Sequence, residues 1–158
     1  MNYIKNLLVA ISMLVSFSVV ADSGMTENDV RKMLNQMEQA VLSHDADKLI
    51  SYLADDAEII LELPANMGGK VTLNVDSYKA MLKQSWAMPA NFTYEVRDIE
   101  INMGPNGHRA TASDVTLETV EMNGQIIASS ETVETIEIIY KEGKPLITSI
   151  HGKVDLKM

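Results

Sequence analysis

The chain contains no cysteine. That excludes disulfides, thiolate metal sites, iron–sulfur clusters and cysteine nucleophiles. Cations are also scarce: 13 Lys and Arg stand against 22 Asp and Glu, a formal charge of −9. Such a surface repels phosphate backbones and anionic lipid heads, whose capture needs clustered Lys and Arg, so no nucleic-acid partner is expected. The 3 histidines are widely spread. No Pro/Ser linker, low-complexity tract or internal repeat divides the chain. With 46% hydrophobic and 22% charged residues, the 158 residues suit one ordinary folded domain and not a disordered acidic tail.

Uncharged runs are rare too, and the long one is at the start. Lys5 precedes the uncharged stretch Leu7 to Val20, and Val19-Val20-Ala21 then meets Asp22. A positive start, a short apolar run and a small residue at the cut are the order of a secretory signal peptide. The run is shorter than the roughly 20 residues that a helix needs to cross a bilayer core. The expected division is 1–21 signal peptide and 22–158 domain, with no stable membrane insertion after cleavage. The expected location is secreted, in the periplasm if the source is a Gram-negative bacterium. Cleavage removes Lys5 and leaves the domain one unit more acidic, and the missing cysteine excludes lipid attachment after the cut.

From Thr26, the residues Val30, Met33, Leu34, Met37 and Val41 recur at helical spacing, with Thr26 and Asp29 placed to cap the start. Asp45 can cap a second, shorter helix carrying Leu49, Tyr52 and Leu53 and ending near Asp55-Asp56. Ile59 to Leu63 and Val71 to Leu73 read as strands around a Pro64–Gly69 turn, and Asn74 can cap a third helix presenting Tyr78, Met81, Leu82 and Trp86. Four long β-rich runs follow: Phe92–Met103, Arg109–Met122, Gln125–Tyr140 and Leu146–Leu156, separated by Gly or Asn-Gly turns. The apolar parity switches inside three of them: from Phe92, Tyr94 and Val96 to Ile99, Ile101 and Met103; from Val115 and Leu117 to Val120 and Met122; from Val133 to Ile136 and Ile138. Each switch implies a bulge or burial on both faces. The fold class is α+β: three N-terminal helices packed on a strongly curved, mostly antiparallel sheet that forms a cone with an internal cavity.

On the segments His44-Asp45-Ala46-Asp47-Lys48-Leu49 and Tyr52-Leu53-Ala54-Asp55-Asp56-Ala57, the helix from Asn74 to Trp86 and the Asn123-Gly124 hairpin, the sequence resembles the nuclear transport factor 2-like superfamily. Ketosteroid isomerases, SnoaL-like cyclases and scytalone dehydratases share that fold, and fold by itself carries little function. The isomerase branch uses an Asp base, a Tyr and a protonated acid. The matching positions here are Leu61, Met37 and Ile136, all apolar, so the resemblance does not extend to that triad. It implies a cavity lined by Met37, Leu61, Trp86, Thr116, Glu118, Glu134, Ile136 and His151, an apolar pocket with a few polar groups.

His151 is the candidate general base, oriented by Glu118 or Glu134 on neighbouring strands. The competing reading puts His151 on the solvent face, because Leu146, Ile150 and Val154 have the opposite parity. Most of the carboxylates at 118, 121, 131, 134 and 137 alternate with Thr, Val and Ile as a solvated face would. Asp55-Asp56 fits turn and capping bonds better than a metal site. Met33 and Met37 fit core packing better than copper binding. Gly68-Gly69 is a turn and not a phosphate loop, and no serine sits in a nucleophile elbow. No metal or cofactor is expected. Noncovalent binding of a small apolar molecule, with homodimerisation through the sheet, is the leading expectation. A cofactor-free lyase, isomerase or hydrolase using His151, and an interaction domain with a filled core, are the alternatives.

Overall fold

A computed structural model describes residues 24–157. The expected signal segment and its cut after Ala21 lie outside those residues. Among the described residues, no helix is long and apolar enough to cross a membrane.

Three helices, α1 (Glu27–Leu42), α2 (Ala46–Ile50) and α3 (Val75–Trp86), pack on six strands. The strands are β1 (Leu53–Glu62), β2 (Lys70–Asn74), β3 (Asn91–Met103), β4 (Arg109–Met122), β5 (Gln125–Lys141) and β6 (Lys144–Lys157). They form one sheet in the order β2-β1-β6-β5-β4-β3, antiparallel throughout except for the parallel pair β1–β6. The expectation of three N-terminal helices is corrected. Only α1 and α2 precede the sheet, and the β1–β2 hairpin, turning through Gly68 and Gly69 at positive φ, comes before α3.

Local chemistry sets the helix starts. The Thr26 hydroxyl accepts from the Asp29 N–H, and the Asp29 carboxylate accepts from the Thr26 N–H at 2.8 Å, a capping box that contributes about 1 kcal/mol. Asp45 and Asn74 cap α2 and α3 by accepting from the N–H groups of Lys48 and Ser77. α2 is shorter than expected. The Ser51 hydroxyl closes it onto the Lys48 carbonyl, and the Tyr52 carbonyl accepts from the Ile147 N–H, which draws the next residues into the sheet. Asp55 and Asp56 therefore lie in β1, exposed where its register with β6 jumps from Leu53 to Glu58, and not at a helix end.

The core is α1 against the inner face of the sheet, with Val30, Ile59, Ile138 and Ile147 fully buried at its centre. Of the three parity switches, one is a bulge in its own strand: β3 shifts register between Arg97 and Glu100, with Asp98 at φ 57. In β4 and β5 the switch instead places apolar residues on both faces, half-buried at Val115 and Leu117 and exposed at Val133. Val115 and Leu117 lie on the outer face, and Val115 is paired directly with Val133. The register shifts beside them fall between Val120 and Glu121 and between Glu137 and Ile138. At the start of the described chain, the Met25 N–H donates to the Gly107 carbonyl at 2.9 Å, tying the approach to α1 onto the β3–β4 turn.

Candidate functional site

α3 has no fully buried residue, although Tyr78, Leu82, Ser85 and Trp86 all turn toward the sheet. The surface they face is a pocket between α1, α3 and the inner faces of β1, β3, β4, β5 and β6. Its outer lobe, about 220 Å³, is lined by Val41, Leu61, Leu82, Trp86, Phe92 and Val154, with Thr116, Glu118 and Glu134 on the sheet side. A smaller inner lobe of about 60 Å³ continues past Tyr78, Tyr94 and Glu134 to Asp114, Met37 and Ile136. The alternation of a strand puts Asp114, Thr116 and Glu118 of β4 on this one face. Glu134 of β5 is the direct cross-strand partner of Asp114, and Tyr94 of β3 that of Glu118.

The electrostatics follow from burial. Asp114 and Thr116 are only 6% and 5% exposed, and neither Asp114 Oδ1 nor Thr116 Oγ1 has a hydrogen-bond partner. Burial pushes the Asp114 carboxyl up to about 6, and the nearby Thr116 hydroxyl pulls the other way. Glu134 is raised further, to about 8, first by burial and then by the charge of Asp114. Glu134 is half-buried and lines both lobes. Burial raises Glu118 as well. The Tyr78 and Tyr94 hydroxyls are driven upward by burial first and by Glu134 next, so both stay protonated donors. At the mouth, His44 stacks on Trp86 with ring centroids 5.2 Å apart and meets Phe92 edge-on at 5.5 Å.

The residues singled out in the sequence separate into two groups. Leu61, Trp86, Thr116, Glu118 and Glu134 line the outer lobe, while Met37 and Ile136 line the inner one together with Glu134. His151 is not among them. It lies exposed on the outer face of β6, between buried Ile150 and Gly152, and its Nε2 is 3.0 Å from Glu62 Oε1. The expected pairing of His151 with Glu118 or Glu134 is therefore corrected: strand alternation puts the imidazole and those carboxylates on opposite faces. Asp114, Tyr78, Tyr94 and His44 are among the pocket residues that the sequence did not single out. Asp114 shares the parity of Thr116 and Glu118 and could have been found by extending that row by one step.

No family model matches the chain, and no curated protein matches it in sequence. Solved structures do. A nuclear transport factor 2-like protein from Pseudomonas putida superposes with a TM-score of 0.64 at 16% identity, covering 82% of this chain and 89% of that one. A nuclear transport factor 2-like protein from Cytophaga hutchinsonii gives 0.62 at 14% identity over 84% and 100%. The chain has the nuclear transport factor 2-like fold. The same fold in the beta subunit of benzoate 1,2-dioxygenase from Burkholderia mallei gives 0.67 at 12% identity over 83% and 91%. At these identities the likeness carries the fold alone, and the site must be argued from its own residues. The buried acids of this chain are Asp114 and Glu134, cross-strand partners on β4 and β5.

Proposed function

We propose that this is a secreted, periplasmic small-molecule-binding protein. Its sheet bends at the bulges into a cone, and the ligand lies noncovalently in the cone between the sheet, α1 and α3. One observation carries the reading: two polar atoms, Asp114 Oδ1 and Thr116 Oγ1, are buried without partners beside a ready-made pocket. A buried polar group left unpaired costs about 1–3 kcal/mol, a cost that a ligand offering the missing hydrogen bonds removes. The expected mainly apolar lining fits the outer lobe, where Val41, Leu61, Leu82, Trp86 and Phe92 would hold the ligand's apolar body. The export-signal order of the first residues supports secretion, and the Val115–Val133 pair on the outer face supports a homodimer through the sheet.

The alternatives fare less well. Catalysis by His151 has no carboxylate of the pocket within reach, and a filled interaction domain has no use for unpaired polar atoms beside a pocket. Native mass spectrometry of the protein purified from its own host tests the reading. A co-purifying small molecule that dissociates on activation is expected; a bare protein at every charge state counts against it.

A further inference from the structure

Resting on the small-molecule-binding reading above, we propose that the ligand is an organic cation: an aromatic or apolar body bearing a protonated amine, which seats between Asp114 and Glu134. Three independent features converge on that chemistry. The first is charge. Among the described residues, Glu38, Asp114, Glu118 and Glu134 line the two lobes, no Lys or Arg lines either, and His44 at the mouth is the sole basic side chain. The neighbouring hydroxyls of Tyr78, Tyr94 and Thr116 supply no compensating charge.

The second is the unpaired pair of atoms. Asp114, 94% buried by its 6% exposure, lines the inner lobe, and its Oδ1 has no hydrogen-bond partner. Thr116 Oγ1 is equally unpartnered two residues along the same face. An ammonium group has three N–H donors, enough for the free Asp114 oxygen, the Thr116 hydroxyl and the Glu134 carboxylate, whose strand position is directly opposite Asp114. A carbonyl or carboxylate ligand would leave Asp114 unsatisfied and add repulsion.

The third is the aromatic wall. Tyr78, Trp86, Phe92 and Tyr94 border the acids, and aromatic faces attract cations by roughly 0.5–2 kcal/mol. Size agrees as well: a dry cavity of roughly 150 Å³ takes a benzene, so an outer lobe of about 220 Å³ accepts a ring with a short arm reaching the inner lobe. The carboxyls must be ionised to hold the cation, and the groups facing them are Glu38 from α1, Tyr78 from α3, Tyr94 from β3 and Glu118 from β4. Binding should therefore release protons and strengthen with pH across the range in which Asp114 and Glu134 ionise, about 6 to 8.

The test is isothermal titration calorimetry of the full domain with three probes of one size: 2-phenylethylammonium, 2-phenylethanol and phenylacetate. At pH 8 the ammonium should bind at least tenfold more tightly than the alcohol, and the anion should not bind. The ammonium affinity should rise at least tenfold from pH 5.5 to pH 8, with buffer-dependent heats that report proton release. Glu134→Gln, which keeps the side-chain shape, should lose at least tenfold in ammonium affinity and flatten the pH dependence while alcohol binding persists, which shows that the variant is folded. Equal binding of alcohol and ammonium, or alcohol binding alone, overturns the cation and leaves small-molecule binding intact. If no probe binds but native mass spectrometry finds a bound molecule, the cation is again overturned alone. If no probe binds and no molecule co-purifies, both readings fall.

Discussion

Replacing Glu134 by glutamine should make the unliganded protein more stable at neutral pH, against the usual direction for a core substitution. A carboxyl whose folded pKa lies above its unfolded value holds its proton more tightly in the folded state, so stability is full in acid and is lost as pH rises. For Glu134 the window opens at the ordinary 4.5 and closes at about 8. Each pH unit inside it removes about 1.4 kcal/mol, so the climb from 4.5 to 7 removes roughly 3 kcal/mol from this one group. Water entering the pocket screens part of that, and on the order of 1–2 kcal/mol should be measurable. Asp114 adds a smaller loss of the same sign between its ordinary value of 3.8 and about 6. The amide of the variant cannot ionise. Urea unfolding followed by the fluorescence of Trp86, the single tryptophan, at pH 5, 6, 7 and 8 should show a falling wild-type profile and a flatter one for Glu134→Gln. The two curves should nearly coincide at pH 5, lie about 1–2 kcal/mol apart at pH 7 and stand further apart at pH 8, with the variant the more stable. Parallel profiles would refute the claim that Glu134 is buried in a pocket short of positive charge.

Two further outcomes concern the framework. Val133, 52% exposed and paired with Val115 on the outer face, is the residue to charge if that face is the dimer contact: Val133→Lys should convert a dimer to a folded monomer by light scattering, and an unchanged mass would remove the face from consideration. Gly107→Ala should cost roughly 2–4 kcal/mol in a urea titration, because the position needs φ +67 and a Cβ there would strike the Met25 carbonyl oxygen; an unshifted midpoint would mean that the Met25–Gly107 junction is not needed for folding.

Most of the framework was legible because its signals are local. The Thr26–Asp29 box and the Asn74 cap mark helix starts by hydrogen bonds within four residues. Asn123-Gly124, at φ 54 and 77, is the hairpin turn that dipeptide favours. The site was only partly legible, because parity in a strand gives two faces without saying which one meets the helices. In β4 the larger apolar residues, Val115 and Leu117, point outward, while Ala110, Ala112, Asp114, Thr116 and Glu118 point inward, so hydrophobicity alone selects the wrong face. For His151 the reverse held: the plain parity of Leu146 and Ile150 placed it correctly, and the lining implied by resemblance did not. The extent of α2 was lost to a tertiary contact, the Ile147 N–H to the Tyr52 carbonyl, which has no trace in the neighbouring sequence.

The lack of any fully buried side chain on α3 has a consequence for how the pocket is reached. A helix without a fully buried residue is held by its cap, by half-buried residues such as Val75 and Tyr78 packed against the core, by its contacts with β1, β2 and α2, and by the solvent-exposed pairing of Lys79 and Lys83 with Asp47. Exposed ion pairs of that kind contribute only ~0–1 kcal/mol. Swinging α3 away from the sheet therefore costs far less than parting β4 from β5, and local openings concentrate in the cheapest segment. The helix wall of the pocket is thus easier to open than its sheet wall, and exchange of the pocket's contents with solvent can proceed while the sheet stays folded.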